Sequence, residues 1–380
     1  MPGRFLRLAC TAAVAAAQAV LTPLPALAAP DPGRPVAELL TDLQQAYRQA
    51  EQATETYNAA EERLNRQRTE VTRLDGELAE ARLSLHSSKD EAGRLARQQY
   101  QNATGISPYL RLLLARDPQH ALDEGHVIGE LARGRAKTVG RLADDERRQS
   151  ALTRRAREAL DTRLALAAEQ KKQRDEVRAR LSDVERMLAA LTPDQLTALA
   201  DLERTETADA QRSLTTSGAL SATTPPPSPE GDRAVRYAVR QLGKPYQWGA
   251  AGPASYDCSG LTSQAWDHAG KPIPRTSQEQ WADLPHVPLN SLRPGDLVVY
   301  FPEATHVALY LGNGKVVQAP RPGAKIKVSP IAANPILGAV RPDPKAGSLA
   351  HYTPPALPKT AMDGPDESFG TLQPTTPTST

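Results

Sequence analysis

The sequence predicts a multidomain chain, a long α-helical coiled coil followed by a compact α+β unit with an antiparallel sheet. Small and apolar residues recur at alternating steps of four and three from Leu39 to Leu85, the period of a helix seam. A Ser/Thr/Pro-rich stretch at 213–230 then interrupts the helical pattern. Beyond it, two helical runs precede three short strand-like runs, the last two joined by Gly312-Asn313-Gly314.

The seam runs Leu39, Leu43, Ala46, Ala50, Ala53, Tyr57, Ala60 and Leu64, passes one polar exception at Gln67, and resumes with Val71, Leu74, Leu78, Ala81 and Leu85. No proline interrupts it, so Val36 to about Asn102 is expected to form a rod of roughly 100 Å. Gly105, Pro108 and Pro118 mark a connector over about 103–126. A second long helix is expected from about Val127 to Leu191, with a looser seam, and Pro193 opens a shorter helix fading near Arg212. Two helices of similar length around a compact connector fit an antiparallel hairpin over 36–212, with a parallel homodimer as the other arrangement heptads allow.

At the other end of the rod, Arg4 and Arg7 precede an alanine-rich apolar run and the small-residue sequence Ala26-Leu27-Ala28, the layout of a cleavable signal peptide over 1–28. The run is too short to span a bilayer and no later stretch approaches that length, so the expectation is a secreted protein that does not span the membrane once the signal is cleaved. Cys10 would leave with the signal, so the mature chain would keep only Cys258 and could form no internal disulfide. Residues 346–380, rich in Pro and Thr, read as a disordered tail.

Charge divides the chain as well. Val36 to Arg212 carries 29 basic and 31 acidic residues, whereas 231–345 carries 13 and 8, a net of +5. That modest excess suits an anionic partner such as a bacterial wall or phosphate-rich polymer and gives no reason to read nucleic-acid binding. One cysteine and scattered histidines have no ligand spacing for a metal, and nothing calls for a cofactor.

The chemistry concentrates in 231–345. Asp257-Cys258-Ser259-Gly260 leads into the helical pattern Leu261 to His268, so Cys258 falls at a helix start, where unpaired N–H groups and the helix dipole favour a thiolate. A proton acceptor is available at His306, which opens the strand-like run His306 to Leu311. If Gly312-Asn313-Gly314 is a three-residue loop, Ala308 lies opposite Gln318 and His306 shares a sheet face with Gln318, whose amide can orient the imidazole; a two-residue loop would separate them. Of the other histidines, His268 ends the helix after Cys258 and His286 sits in a proline-flanked loop, neither with a strand context.

These residues resemble a known family. Gly243-Lys244-Pro245-Tyr246-Gln247-Trp248-Gly249, Asp257-Cys258-Ser259-Gly260-Leu261, Pro274-Arg275-Thr276-Ser277-Gln278-Glu279-Gln280-Trp281, the run Leu292 to Phe301, and His306 to Gly312 are similar to the successive motifs of NlpC-type peptidoglycan endopeptidases. The resemblance implies a papain-like α+β domain with Cys258 as nucleophile, His306 as base and Gln318 in a third position that is histidine in many members. It further implies Tyr246 beside the site, supporting the oxyanion or substrate, and Asp257 and Ser259 near the bound peptide. Arg275, Ser277 and Gln280 match a motif for which loop packing is expected.

The implied reaction is hydrolysis of an amide in the peptidoglycan stem peptide, from γ-D-glutamate to a diamino acid, through a thioester. Two other readings compete with it: a non-catalytic scaffold that binds peptidoglycan and activates another hydrolase, and amidase or transpeptidase chemistry on the same fold. The helical region is expected either to restrain the catalytic domain or to dock on a membrane-bound, divisome-type regulator.

Overall fold

The computed structural model describes residues 35–102, 108–114, 117–221 and 223–362. The expected signal at 1–28 and the tail beyond residue 362 lie outside the described residues. Helix α1 spans Val36–Asn102, α2 Pro108–Leu113, α3 Pro118–Ala189 and α4 Pro193–Thr216. Helices α1 and α3 lie antiparallel: Val71, Leu74, Leu78 and Ala81 pack on Leu152 and Ala159, while Leu43 and Tyr47 meet Val184 and Leu188. At the same end Leu39 and Leu40 close on Leu199 of α4. Most seam residues of α1 are therefore buried by its own chain. No helix of the described residues is long and apolar enough to cross a membrane.

Two boundaries differ from the sequence expectation. Helix α3 begins at Pro118, nine residues before Val127, because Asp117 caps it by accepting the His120 N–H at 2.8 Å and Pro118 sits where its missing N–H costs nothing. Helix α4, capped by the reciprocal Thr192–Gln195 pair, continues to Thr216 and not to Arg212.

The C-terminal unit contains α5 (Pro229–Arg240), α6 (Cys258–His268), α7 (Ser277–Asp283) and strands β1 (His286–Val287), β2 (Leu297–Tyr300), β3 (His306–Gly312), β4 (Lys315–Gln318), β5 (Lys327–Pro330) and β6 (Ile336–Val340). All pairings in the sheet are antiparallel, in the order β1-β6-β2-β3-β4-β5. Helices α5 and α6 cover one face, where Val235, Leu261, Trp266, Val299, Val307, Leu309 and Val317 form the main core. On the other face Val298, Tyr300, Ala308, Tyr310 and Val316 are capped by Leu214 and Leu220.

The flanks expected as linker and disordered tail pack on this unit as far as residue 362. Leu349 N–H donates to Pro227 O at 2.8 Å and Val328 N–H to Ala361 O at 2.9 Å, with Ala361 buried. Ser228, at the linker's end, is fully buried, caps α5 and is bonded to Asp343. These contacts satisfy backbone groups that polar composition alone assigns to solvent.

Candidate active site

The Cys258 end of α6 is built by its N-cap. Asp257 accepts the Gly260 N–H at 2.6 Å, and Arg275 grips Asp257 with two bonds of 3.1 and 2.8 Å while donating to Ser259 Oγ at 2.9 Å. Gly260 is required here, since a Cβ would lie 2.3 Å from Ala250 O. Gln280 supports the same turn from α7, donating to Ser259 O and Pro274 O and accepting from Thr262 Oγ1. Arg275 and Gln280 thus lock the turn that carries Cys258, a more direct task than the loop packing expected for them. Cys258 shares the main core with Val307 of β3, the strand that carries His306.

His306 and Gln318 do share a face, by a route the sequence did not suggest. The turn is the two-residue Asn313-Gly314, both at positive φ, closing the Gly312–Lys315 pair. A bulge between Tyr310 and Gly312 then shifts the register by one residue and restores Leu309 opposite Val317. The parity of a three-residue loop results. His306 Nε2 lies 2.7 Å from Gln318 Oε1, and Gln318 Nε2 donates to Ser329 Oγ at 2.8 Å. With the amide so oriented, its oxygen can only accept, so the proton resides on Nε2 and Nδ1 is the basic nitrogen.

Nδ1 faces an unexpected partner. It lies 3.4 Å from Glu51 Oε1 of α1, at ion-pair distance but without hydrogen-bond geometry. One turn further along α1, Glu55 reaches Cys258, with Oε1 3.7 Å from Cys258 Sγ and 2.7 Å from Ser259 Oγ, and Oε2 accepting the Ser277 N–H at 2.8 Å. Asn58 follows, donating to Asp257 Oδ2 at 3.1 Å. Tyr57 completes the contact edge-on against Trp248, with ring centroids 5.1 Å apart. Cys258 is 2% exposed and His306 1%, so α1 covers the pair.

Electrostatics under this cover oppose a thiolate. Burial, followed by the charges of Glu55, Asp257 and Glu51, pushes the Cys258 thiol well above its ordinary value, outweighing the opposing effect of the Val307 backbone. The dipole advantage expected from the helix start does not prevail while α1 is in place. For His306, burial alone would lower the pKa, but Glu51 and then Gln318 reverse the sign and the net shift is upward. Burial and the Asp257 charge raise Glu55 to about 7 despite Arg275, Ser259 and Ser277. Tyr246 is buried near the same groups, and burial followed by Cys258 and Asp257 pushes its phenol well up.

Glu51, Glu55 and Asn58 are the site residues that sequence reasoning missed. They recur at i, i+4 and i+7, forming a second stripe beside the heptad seam. That spacing was visible, but a polar stripe on a helix normally faces water. Helix α4 adds to the junction: Glu203 pairs twice with Arg321 at 3.2 Å, and Gln211 bonds Gly314 O and the Ala332 N–H. A cavity of about 640 Å³ remains between α1, α4 and the sheet, with Gln318 in its wall but neither Cys258 nor His306.

Residues 243–338 match the NlpC/P60 family model. A probable endopeptidase of Corynebacterium glutamicum is 41% identical over 123 residues, covering 32% of this chain and 58% of its own length. This chain therefore spans little more than half of that relative. A probable endopeptidase of Mycobacterium tuberculosis is 28% identical over 349 residues, 81% of this chain and 90% of the relative. The peptidoglycan endopeptidase RipA of Mycolicibacterium smegmatis is 37% identical over 134 residues, 30% of this chain and 26% of its own.

Proposed function

We propose that this chain, with an NlpC/P60 domain at residues 243–338, is an exported cell-wall hydrolase, a cysteine endopeptidase acting on peptidoglycan stem peptides. The bond in view joins γ-D-glutamate to a diamino acid. The observation that carries the reading is that Cys258, at a capped helix start, and His306, a strand histidine whose Nε2 is held by Gln318 at 2.7 Å, meet consecutive turns of α1 through Glu55 and Glu51. In an open site Nδ1 of His306 takes the thiol proton, and the thiolate attacks the scissile carbonyl. His306 then protonates the leaving amine, and a water activated by the same nitrogen releases the acid from the thioester. Tyr246 supports the oxyanion or the substrate, and Asp257 and Ser259 hold the peptide beside the thiol. No cofactor enters this scheme.

Relatives named as endopeptidases support the reaction class, and the RipA name supports the polymer. The test is mass-spectrometric identification of new ends released from purified peptidoglycan by residues 225–380, with Cys258→Ala as control. A new amine on the diamino acid, lost in the variant, is expected. Freed sugar would indicate an amidase, and new crosslinks a transpeptidase.

A non-catalytic scaffold is the second reading, favoured by the burial of Cys258 under α1. It predicts peptidoglycan retention without cleavage by the folded fragment. For the regulator, we propose a membrane-bound partner docking on the helical hairpin, where Leu113, Leu114 and Leu122 are exposed beside the connector.

A further inference from the structure

Helix α1 does more at the active site than cover it. Three acidic groups, Glu51, Glu55 and Asp257, are buried together beneath the hairpin, at 8%, 1% and 0% exposure. The cations facing them are Arg275, which spends both its forks on Asp257, and His306, which faces Glu51. Cys258 and Tyr246 are the remaining titratable groups around Glu55. Seating α1 thus buries Glu55 beside Asp257 with neutral donors bonded to it, the Ser259 hydroxyl, the Ser277 amide, the Asn58 amide and the Cys258 thiol. A carboxylate so enclosed is costly unless it gains a proton.

We propose that the Glu51–Asn58 turn of α1 is an intramolecular latch on the peptidase site whose closure takes up a proton at Glu55. It rests on the proposed peptidase only in using Cys258 as the reactive thiol. The linkage has a definite sign. Glu55 has its closed-state pKa raised from 4.5 to about 7, so its contribution to closure is full below 4.5 and is lost as pH rises through 7. His306, also raised, acts in the same direction, holding closure below its free value and losing it through its closed one. Cys258, kept as a thiol when closed, adds to the same trend. Acid tightens the latch and neutral-to-alkaline pH loosens it.

The full-length chain tests this without any wall substrate, by the rate at which iodoacetamide labels Cys258 between about pH 5 and 7. Opening that releases one proton adds about a tenfold rise per pH unit to the thiol's own dependence. Wild type should therefore show that extra steepness, and Glu55→Gln, which keeps the shape but cannot ionise, should lack it below pH 6.5, the value above which His306 begins to contribute. Tyr57→Ala removes the Trp248 contact and leaves the acid cluster, so it should label faster at every pH with wild-type steepness. Circular dichroism establishes that each variant keeps its helix content. Parallel profiles for wild type and Glu55→Gln would overturn the proposal, as would wild-type labelling as fast as in guanidinium chloride. Because labelling requires no hydrolysis, failure here is distinct from failure of the endopeptidase reading.

Discussion

On the proposed reading Gln318 sets which nitrogen of His306 is basic, since its oxygen accepts from Nε2 at 2.7 Å while its amide donates to Ser329. A neutral amide orients the ring without stabilising the imidazolium as a carboxylate would. Gln318→Ala in residues 225–380 should lower kcat/KM on the order of 10- to 100-fold, less than His306→Ala, which removes the base altogether. Gln318→His should recover most of the loss. Arg275 is a positioning residue of a different kind. Its guanidinium neutralises Asp257, which is fully buried at the cap of α6. Arg275→Ala leaves that charge unpaired and should cost about 3–5 kcal/mol in denaturant unfolding of the catalytic unit, with Arg275→Lys recovering only part.

At the scale of elements, legibility depended on whether a signal was local. The seam of α1 could be read residue by residue, and its members from Leu39 to Ala81 are mostly buried. The His306–Gln318 pairing was legible only conditionally, because turn length and bulge act together on register and a bulge leaves little trace in sequence. Strands β1, β5 and β6 went unread: two to five residues long and bounded by proline, they owe their existence to neighbours across the sheet. The stripe Glu51, Glu55, Asn58 was the hardest to interpret, since its partners lie about 200 residues away, as in the Cys258–Glu55 contact with a separation of 203. Packing in these elements is testable separately. Leu43→Ala empties a site shared with Val184 and Leu188 and should destabilise the hairpin by about 2–5 kcal/mol, measured by denaturant unfolding, with the catalytic unit's transition unchanged. Gly260→Ala, whose Cβ would strike Ala250 O, should instead prevent stable folding of that unit.

Taken as a whole, the molecule is arranged so that one side of the hairpin builds its own core while the adjacent stripe occupies the cleft of another unit. Stability of the seated state is spread over several contacts: Tyr57 on Trp248, the Glu203–Arg321 pair, Gln211 on the β3–β4 turn, and the acid cluster. None of these is a large apolar interface. Polar contacts of this type are individually modest, so a partner pulling on the hairpin, or a change in protonation, can shift the balance. Any molecule that is to reach Cys258 and His306 requires the Glu51–Asn58 turn to leave, because both are closed to solvent while it remains.

The most direct test of a cysteine peptidase held shut by α1 compares initial rates of peptidoglycan cleavage by the full-length chain and by residues 225–380 at equal concentration, each beside its Cys258→Ala variant. Cleavage by the fragment at least about tenfold faster than by the full chain, and lost in both variants, is the predicted result. Equal rates for the two would contradict closure by α1, and cleavage that survives Cys258→Ala would contradict the nucleophile.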